Sequence, residues 1–279
     1  MGMTSKLQLN EAELLRKPEV LELATDQYKG DPNFMASLAR GLVVLQAFRP
    51  EFSALTVPQI SEITGLHRAV VRRCLYTLSA LGFVYSADSR HYHLLPRVLT
   101  IGHAYLNASE LAREAQNALD YLSKQLNQSC SVATLDGDSI LYIARASMSR
   151  IMKIVLGRGS RLPAYATSMG MVLLSELSDV ELDGYFSRVK LEPLTEYTIT
   201  DEGKLRDELK KVKRLGYAIN DQQLEIGLRS LAVPMYSRKS GVVAAMNVGT
   251  HASQVSIQTL RDTCLPMLQR SAMELALLL

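Results

Sequence analysis

The sequence predicts an α+β protein of two domains: a small helical domain closed by a β-hairpin, then a larger domain around an antiparallel sheet. Two observations carry this. Between Ser37 and Leu94, three apolar stripes at helical spacing are followed by two short strand-like segments. Beyond Leu111, strand-like runs separated by turn residues such as Asp136-Gly137-Asp138 alternate with amphipathic helical patterns. The chain has 279 residues, 47% hydrophobic and 21% charged, enough for two packed cores.

Residues 1–33 read as an N-terminal arm. Leu14, Leu15, Leu21 and Leu23 suit short helical turns, but Pro18 interrupts them, and Lys29-Gly30-Asp31-Pro32 reads as a turn. Residues 34–96 form the first domain. Leu38, Leu42, Leu45 and Phe48 recur at helical spacing until Pro50 ends the run. Thr56 with Gln59 makes a capping box opening a helix over Val57–Thr64, which buries Ile60 and Ile63. Gly65 supplies a sharp turn, with Leu66 plugging the angle. The next helix, Arg68 to Leu81, carries Val71, Cys74, Leu75, Leu78 and Leu81 on one stripe. Val84–Ser86 and His91–Leu94 then pair around Ala87-Asp88-Ser89-Arg90. Three helices with a tight turn and a closing hairpin make a winged helix-turn-helix.

A helix over Arg97–Ala108 is the expected linker, within a linker segment 97–109. Residues 110–279 form the second domain. The pattern predicts a helix over Ala112–Leu126 and a hairpin of Ser131–Leu135 with Ser139–Ala144. It further predicts a strand over Ile151–Leu156, a loop at 157–160, and helices over Ser168–Leu177 and Lys204–Leu215. Strands Leu231–Tyr236 and Val242–Val248 and a helix from Gln254 to Leu279 complete it.

A recognition helix reads bases with side chains near its N-terminus. Here those are His67, Arg68, Ala69 and Arg72, which point away from the Val71/Leu75/Leu78 stripe. Arginine suits bidentate contact with guanine O6 and N7. Arg73 is placed on a phosphate, Arg90 and His91 in the wing on phosphate or minor groove, and Arg40 on the backbone. The basic excess coincides with this face: net charge is −2 over 1–33, +4 over 34–98 and +1 over the rest.

Other function classes find little support. There is no GxSxG, HExxH or P-loop, and Gly157-Arg158-Gly159 lacks the third glycine of a dinucleotide fingerprint. Asp136 and Asp138 are hairpin residues before they are a catalytic pair. Cys74, Cys130 and Cys264 are scattered, without metal-ligand spacing, and suit reduced thiols in a cytoplasm. No apolar run is long enough to span a membrane, and no signal-peptide core opens the sequence. No enzyme activity, metal or cofactor is expected.

From Phe34 onward the sequence resembles the IclR family of bacterial transcription regulators. The resemblance rests on SLARGL, ISEITGL, RRCLYTLSALGFV, LLPRVLTIGHAYL, LPAYATSMGMVLLSEL and GYAINDQQLEIGLRSLAVPMY, in that order. GDPNFMASLARGL with GSRLPAYATSMG resembles the branch controlling β-ketoadipate and related aromatic catabolism. The family implies a GAF-like second domain that binds a small organic acid, here an aromatic one. It implies double-stranded operator DNA, RNA polymerase and further copies of the chain, as a dimer or tetramer, as partners. Matched block by block, the ligand site would take Thr167, Ser168 and Met169 from ATSMG, Asp221 and Glu225 from NDQQLE, Ser230 and Leu231 from LRSLA, and Asn247. A helix N-terminus at ATSMG suits a carboxylate. Met152 and Met169 offer soft contact to a ring. Of the cations Arg145, Arg161 and Arg229, Arg161 is the expected carboxylate partner because it adjoins ATSMG. Met171 stands where relatives carry Arg or Lys, a change expected to alter that helix's surface. Two alternatives stay open: a regulator sensing another acid, and a constitutive DNA-binding protein whose second domain only oligomerises.

Overall fold

The structure, a computed structural model, describes residues 28, 30–49, 52, 54–148, 156–237 and 241–277. The expected strand over Ile151–Leu156 therefore lies outside the described residues except at its last position. The chain divides into two compact units, with the boundary between Ala104 and Tyr105.

In the first unit, α1 (Ala36–Gln46), α2 (Val57–Thr64) and α3 (Arg68–Ala80) pack around Val44, Ile60, Ile63, Val71 and Leu75, all essentially buried. Each such side chain contributes roughly 1.5–3 kcal/mol on leaving water. The Thr56 hydroxyl accepts from the Gln59 N–H at 3.4 Å, and Gln59 Oε1 accepts from the Thr56 N–H at 2.8 Å, closing the capping box. Gly65 ends α2 at φ 69°, a left-handed conformation that glycine adopts at little cost. Strands β1 (Leu55–Thr56), β2 (Val84–Tyr85) and β3 (His91–Leu94) form an antiparallel sheet in the order β1-β3-β2. A 3₁₀ turn at Pro96–Val98 leads into α4 (Leu99–Ala108). In that turn Arg97 Nη1 donates to the Leu81 carbonyl at 2.5 Å, placing a cation at the negative end of α3.

The second unit is a three-layer sandwich. Its sheet has the order β6-β5-β4-β9-β8-β7, every pair antiparallel. The strands are β4 (Ser129–Asp136), β5 (Ser139–Ala146), β6 (Arg161–Pro163), β7 (Ala218–Asp221), β8 (Leu228–Ser237) and β9 (Gly241–His251). One face packs on α5 (Glu110–Leu126) and on the final helical segment through Cys130, Leu231, Val233, Met246 and Val248. That segment comprises α9 (Ile257–Thr259), a π-helical turn (Leu260–Cys264) and α10 (Leu265–Ala276). The other face carries α6 (Ser168–Ser175), α7 (Asp179–Arg188) and α8 (Glu202–Leu215) over Ile140, Tyr142, Ala232 and Ala245. All eight residues of α6 are buried, Met171 included, so Met171 is a core residue and not the surface change its sequence suggested.

Candidate functional site

The first site is the exposed side of α3. Burial of Val71, Leu75 and Leu78 turns Arg68, Ala69, Arg72 and Arg73 outward. None of these arginines, nor Arg90, has a carboxylate partner among the described residues. Arg72 and Arg73 line a groove of about 1,100 Å³ between α3 and the hairpin, with Tyr76, Ser89, Arg90 and His91 opposite or beside them. Tyr76, 78% exposed, was not singled out from the sequence, although its spacing from Arg72 and Arg73 places it on their face. Arg40 is exposed on α1 and does not line the groove.

Two of the expected reading groups are held by local bonds. His67 is the N-cap of α3, with Nδ1 accepting from the Ala69 N–H at 3.3 Å. That bond puts the ring proton of the neutral form on Nε2. In the wing, Asp88 accepts from the Arg90 N–H at 2.9 Å, the His91 N–H at 2.8 Å and the His91 ring at 2.6 Å. The ring and backbone bonds to His91, with that to Arg90, hold the Asp88 carboxyl well below the usual carboxylate range. His91 thus braces the wing, while the Arg90 side chain is exposed beside it.

The second site is a cavity on the α6 face of the large sheet. Sheet register builds it: Arg145 pairs with Ser131, Ser131 with Asn247, and Asn247 with Ala232. Alternation along β8 puts Ser230 on the same face, and a register shift between Val132 and Ala133 brings Tyr142, paired with Ala133, onto it as well. The N-terminus of α6 sits above them. Thr167 caps it, accepting from the Gly170 N–H at 3.1 Å, and the Ser168 and Ser230 hydroxyls bond at 2.8 Å. A Cβ on Gly170 would lie 2.0 Å from the Ala164 carbonyl oxygen, so only glycine lets α6 approach this closely. Asn220 ties the near edge, donating to the Ala166 carbonyl at 3.0 Å.

The cavity is lined by Ser129, Tyr142, Arg145, Leu156, Thr167, Ser168, Asn220, Leu224, Leu228, Ser230 and Asn247, among others. Two features ask for a ligand. The Asn247 Oδ1 is buried without a hydrogen-bond partner. Among the described residues the Arg145 guanidinium donates to two hydroxyls, Ser131 at 2.9 Å and Ser147 at 3.1 Å, and no carboxylate pairs with it. Burial lowers its pKa, the sign of a cation short of compensating charge. Burial likewise raises the Tyr142 hydroxyl to about 12, so it stays a neutral donor. An α-helix N-terminus, a guanidinium and several hydroxyl and amide groups converge on one space, the kind of groups that hold an anion.

Of the residues read from the sequence, Thr167, Ser168, Ser230 and Asn247 meet at this cavity. Others do not. Arg161 is on β6 and pairs with Asp136 away from the cavity, so the expected carboxylate role is corrected to a hairpin ion pair. Asp221 and Leu231 point to the opposite face: Asp221 pairs with Arg229 at 2.8 Å, and Leu231 is in the α5/α10 core. Arg229 is spent on that pair and on the carbonyls of Ala252 and Val255. Met169 is buried in the core beneath α6, and Glu225 lies in the turn before β8; neither lines the cavity. Met152 lies outside the described residues. Among those residues no cluster of metal-ligating side chains occurs, and no helix is long and apolar enough to cross a membrane.

A winged helix-turn-helix joined to a cavity-bearing sensor domain defines a ligand-responsive DNA-binding regulator. Residues 37–88 match the IclR helix-turn-helix domain and residues 103–277 the bacterial transcriptional regulator IclR C-terminal domain. The chain belongs to the IclR family of transcription regulators. It is 47% identical to the Pca regulon regulatory protein of Pseudomonas putida, over 89% of this chain and 85% of that one. A crystal structure of a transcriptional regulator from Rhodococcus sp. RHA1 is 41% identical, with a TM-score of 0.73 over 87% of this chain and 97% of that one. The inducer-binding domain of an Acinetobacter PobR double mutant, in complex with 3-hydroxybenzoic acid, is 33% identical. Its TM-score is 0.56 over 60% of this chain and 98% of that one.

Proposed function

We propose that this protein controls genes of aromatic-compound catabolism by binding double-stranded operator DNA and altering that binding when a small organic acid occupies the second domain. The acid is an aromatic acid or a carboxylic acid derived from ring cleavage. The observation that carries the reading is the cavity itself, with Arg145 beside the α6 N-terminus lacking a carboxylate partner among the described residues and Asn247 left with an unused acceptor. The names of the Pseudomonas putida and Acinetobacter relatives support the pathway.

In this reading Arg68 and Arg72 contact base edges, while Arg73, Arg90 and Tyr76 contact the sugar-phosphate backbone. Arg145 takes the carboxylate, and Ser168, Ser230 and Asn247 take the remaining oxygens. The protein acts in the cytoplasm as a homodimer or tetramer, with RNA polymerase as a partner at the promoter. The apolar side chains of Leu99, Ile101 and Tyr105, exposed on α4, support self-association. The cavity holds only about 30 Å³, against roughly 300–1,000 Å³ for pockets that enclose drug-sized ligands. Binding therefore requires Leu224, Leu228 or Leu156 to give way, which links occupancy to a change of shape. A thermal-shift panel of protocatechuate, 4-hydroxybenzoate and β-ketoadipate tests the reading. At least one acid raises the melting temperature of the wild type; none doing so refutes it.

A further inference from the structure

We propose that Gln116 is the positioning residue that couples the effector cation to the helix following the linker. The proposal rests on the acid-binding reading of the cavity and deepens it. Gln116 lies on α5, which follows α4 after the single residue Ser109. Its amide grips the Arg145 backbone on both sides: Oε1 accepts from the Arg145 N–H at 3.2 Å, and Nε2 donates to the Arg145 carbonyl at 3.1 Å. Nε2 also donates to Asp120 at 2.8 Å, and Oε1 accepts from Arg158 Nη2 at 2.9 Å. A carboxylate only accepts and a guanidinium only donates, so Asp120 and Arg158 fix which way the amide points.

The grip pairs the Arg145 backbone on the outer edge of β5. On the edge of β5 away from β4, β6 pairs with Ser139, Ile140 and Leu141, and Tyr142 exchanges backbone bonds with Gly159 and Ser160. Arg145 lies beyond that stretch, and its backbone groups are satisfied by a helix side chain. The backbone of the ligand-facing residue is thereby joined to α5 by directed bonds as well as by packing. An acid that draws the Arg145 guanidinium from Ser131 and Ser147 loads this strand edge, and Gln116 passes the load to α5.

The test compares full-length wild type, Gln116→Met and Gln116→Glu by amide hydrogen exchange. The probe is whichever of protocatechuate, 4-hydroxybenzoate and β-ketoadipate raises the wild-type melting temperature. Methionine fills a similar volume and removes all four bonds. Glutamate keeps the acceptor for Arg145 and Arg158 and loses both donations. Acid should raise the melting temperature of all three proteins and slow exchange in β5 of all three. Exchange in α5 should slow several-fold in wild type, less in Gln116→Glu, and not at all in Gln116→Met. A merely structural role would lower stability with and without acid but leave the α5 response intact, and that result overturns the proposal. If no acid affects wild type, the acid-binding reading falls and the proposal with it. If wild type responds and Gln116→Met transmits equally, the proposal alone falls.

Discussion

Replacing Arg145 with methionine separates effector binding from stability. Methionine keeps an unbranched stem that can pack where the arginine methylenes lie, so the change removes charge more than volume. The ligand-free protein loses two hydrogen bonds from the guanidinium, to buried Ser131 and to exposed Ser147, and the Ser147 hydroxyl can turn to water. Such bonds to a charged group contribute about 1.5–3 kcal/mol each when intact. Against that loss stands relief of a partly buried cation with no carboxylate partner, a term of the same order and opposite sign. The two nearly cancel, and unfolding free energy should change by no more than about 1 kcal/mol. The bound state has no such compensation. A charge-assisted contact to a carboxylate is lost, about 2–4 kcal/mol, or roughly 30- to 700-fold in Kd. The assay is calorimetric titration of the acid that stabilises wild type, with Arg161→Met as the control. Arg161 is committed to Asp136, so its loss should leave Kd within about threefold, less than 1 kcal/mol. Unchanged affinity in Arg145→Met, or a loss confined to Arg161→Met, refutes the assignment.

Arg68→Ala or Arg72→Ala should each cost roughly 1–3 kcal/mol of operator binding and relax discrimination at one base position, read by titrating operator variants. Arg73→Ala and Arg90→Ala should weaken all sequences alike and lower the salt slope by about 1 each. Gly170→Ala forces a Cβ against the Ala164 backbone and should cost about 3 kcal/mol or more in denaturant melts, well beyond an ordinary helical Gly→Ala change. Burial pushes the Cys130 thiol up to about 12. The thiol is therefore protonated at pH 8, where it should react with a disulfide reagent only on unfolding, as mass mapping would show.

The local signals were legible, the register was not. The Thr56/Gln59 capping box, the Gly65 turn and the Val71/Leu75/Leu78 stripe predict α2 and α3 because each is decided by neighbours within one turn. Strand β1, two residues long, exists only because Leu55 and Thr56 pair with Tyr92 and His91. Helix α7 was missed although Ser178 and Glu181 form a capping box at its start. The blocks around Asp221 and Ser230 do reach the cavity, but their parity is not legible from the sequence. Asn220 and Ser230 face the cavity while Asp221 and Leu231 face the other core, a distinction of one residue that only sheet pairing settles. Arg161 drew the carboxylate role by adjacency in sequence, whereas register brings Arg145 beside Ser131, which in turn pairs with Asn247.

The central claim is that one small acid, held at Arg145, changes how the winged helix binds DNA. Fluorescence anisotropy of labelled DNA from upstream of the chain's own gene, titrated with the full-length protein in the presence and absence of the stabilising acid, tests it most directly. The predicted result is a change of roughly 5- to 150-fold in operator affinity, in either direction, that disappears in Arg145→Met. Equal affinity with and without an acid that demonstrably binds would contradict the account.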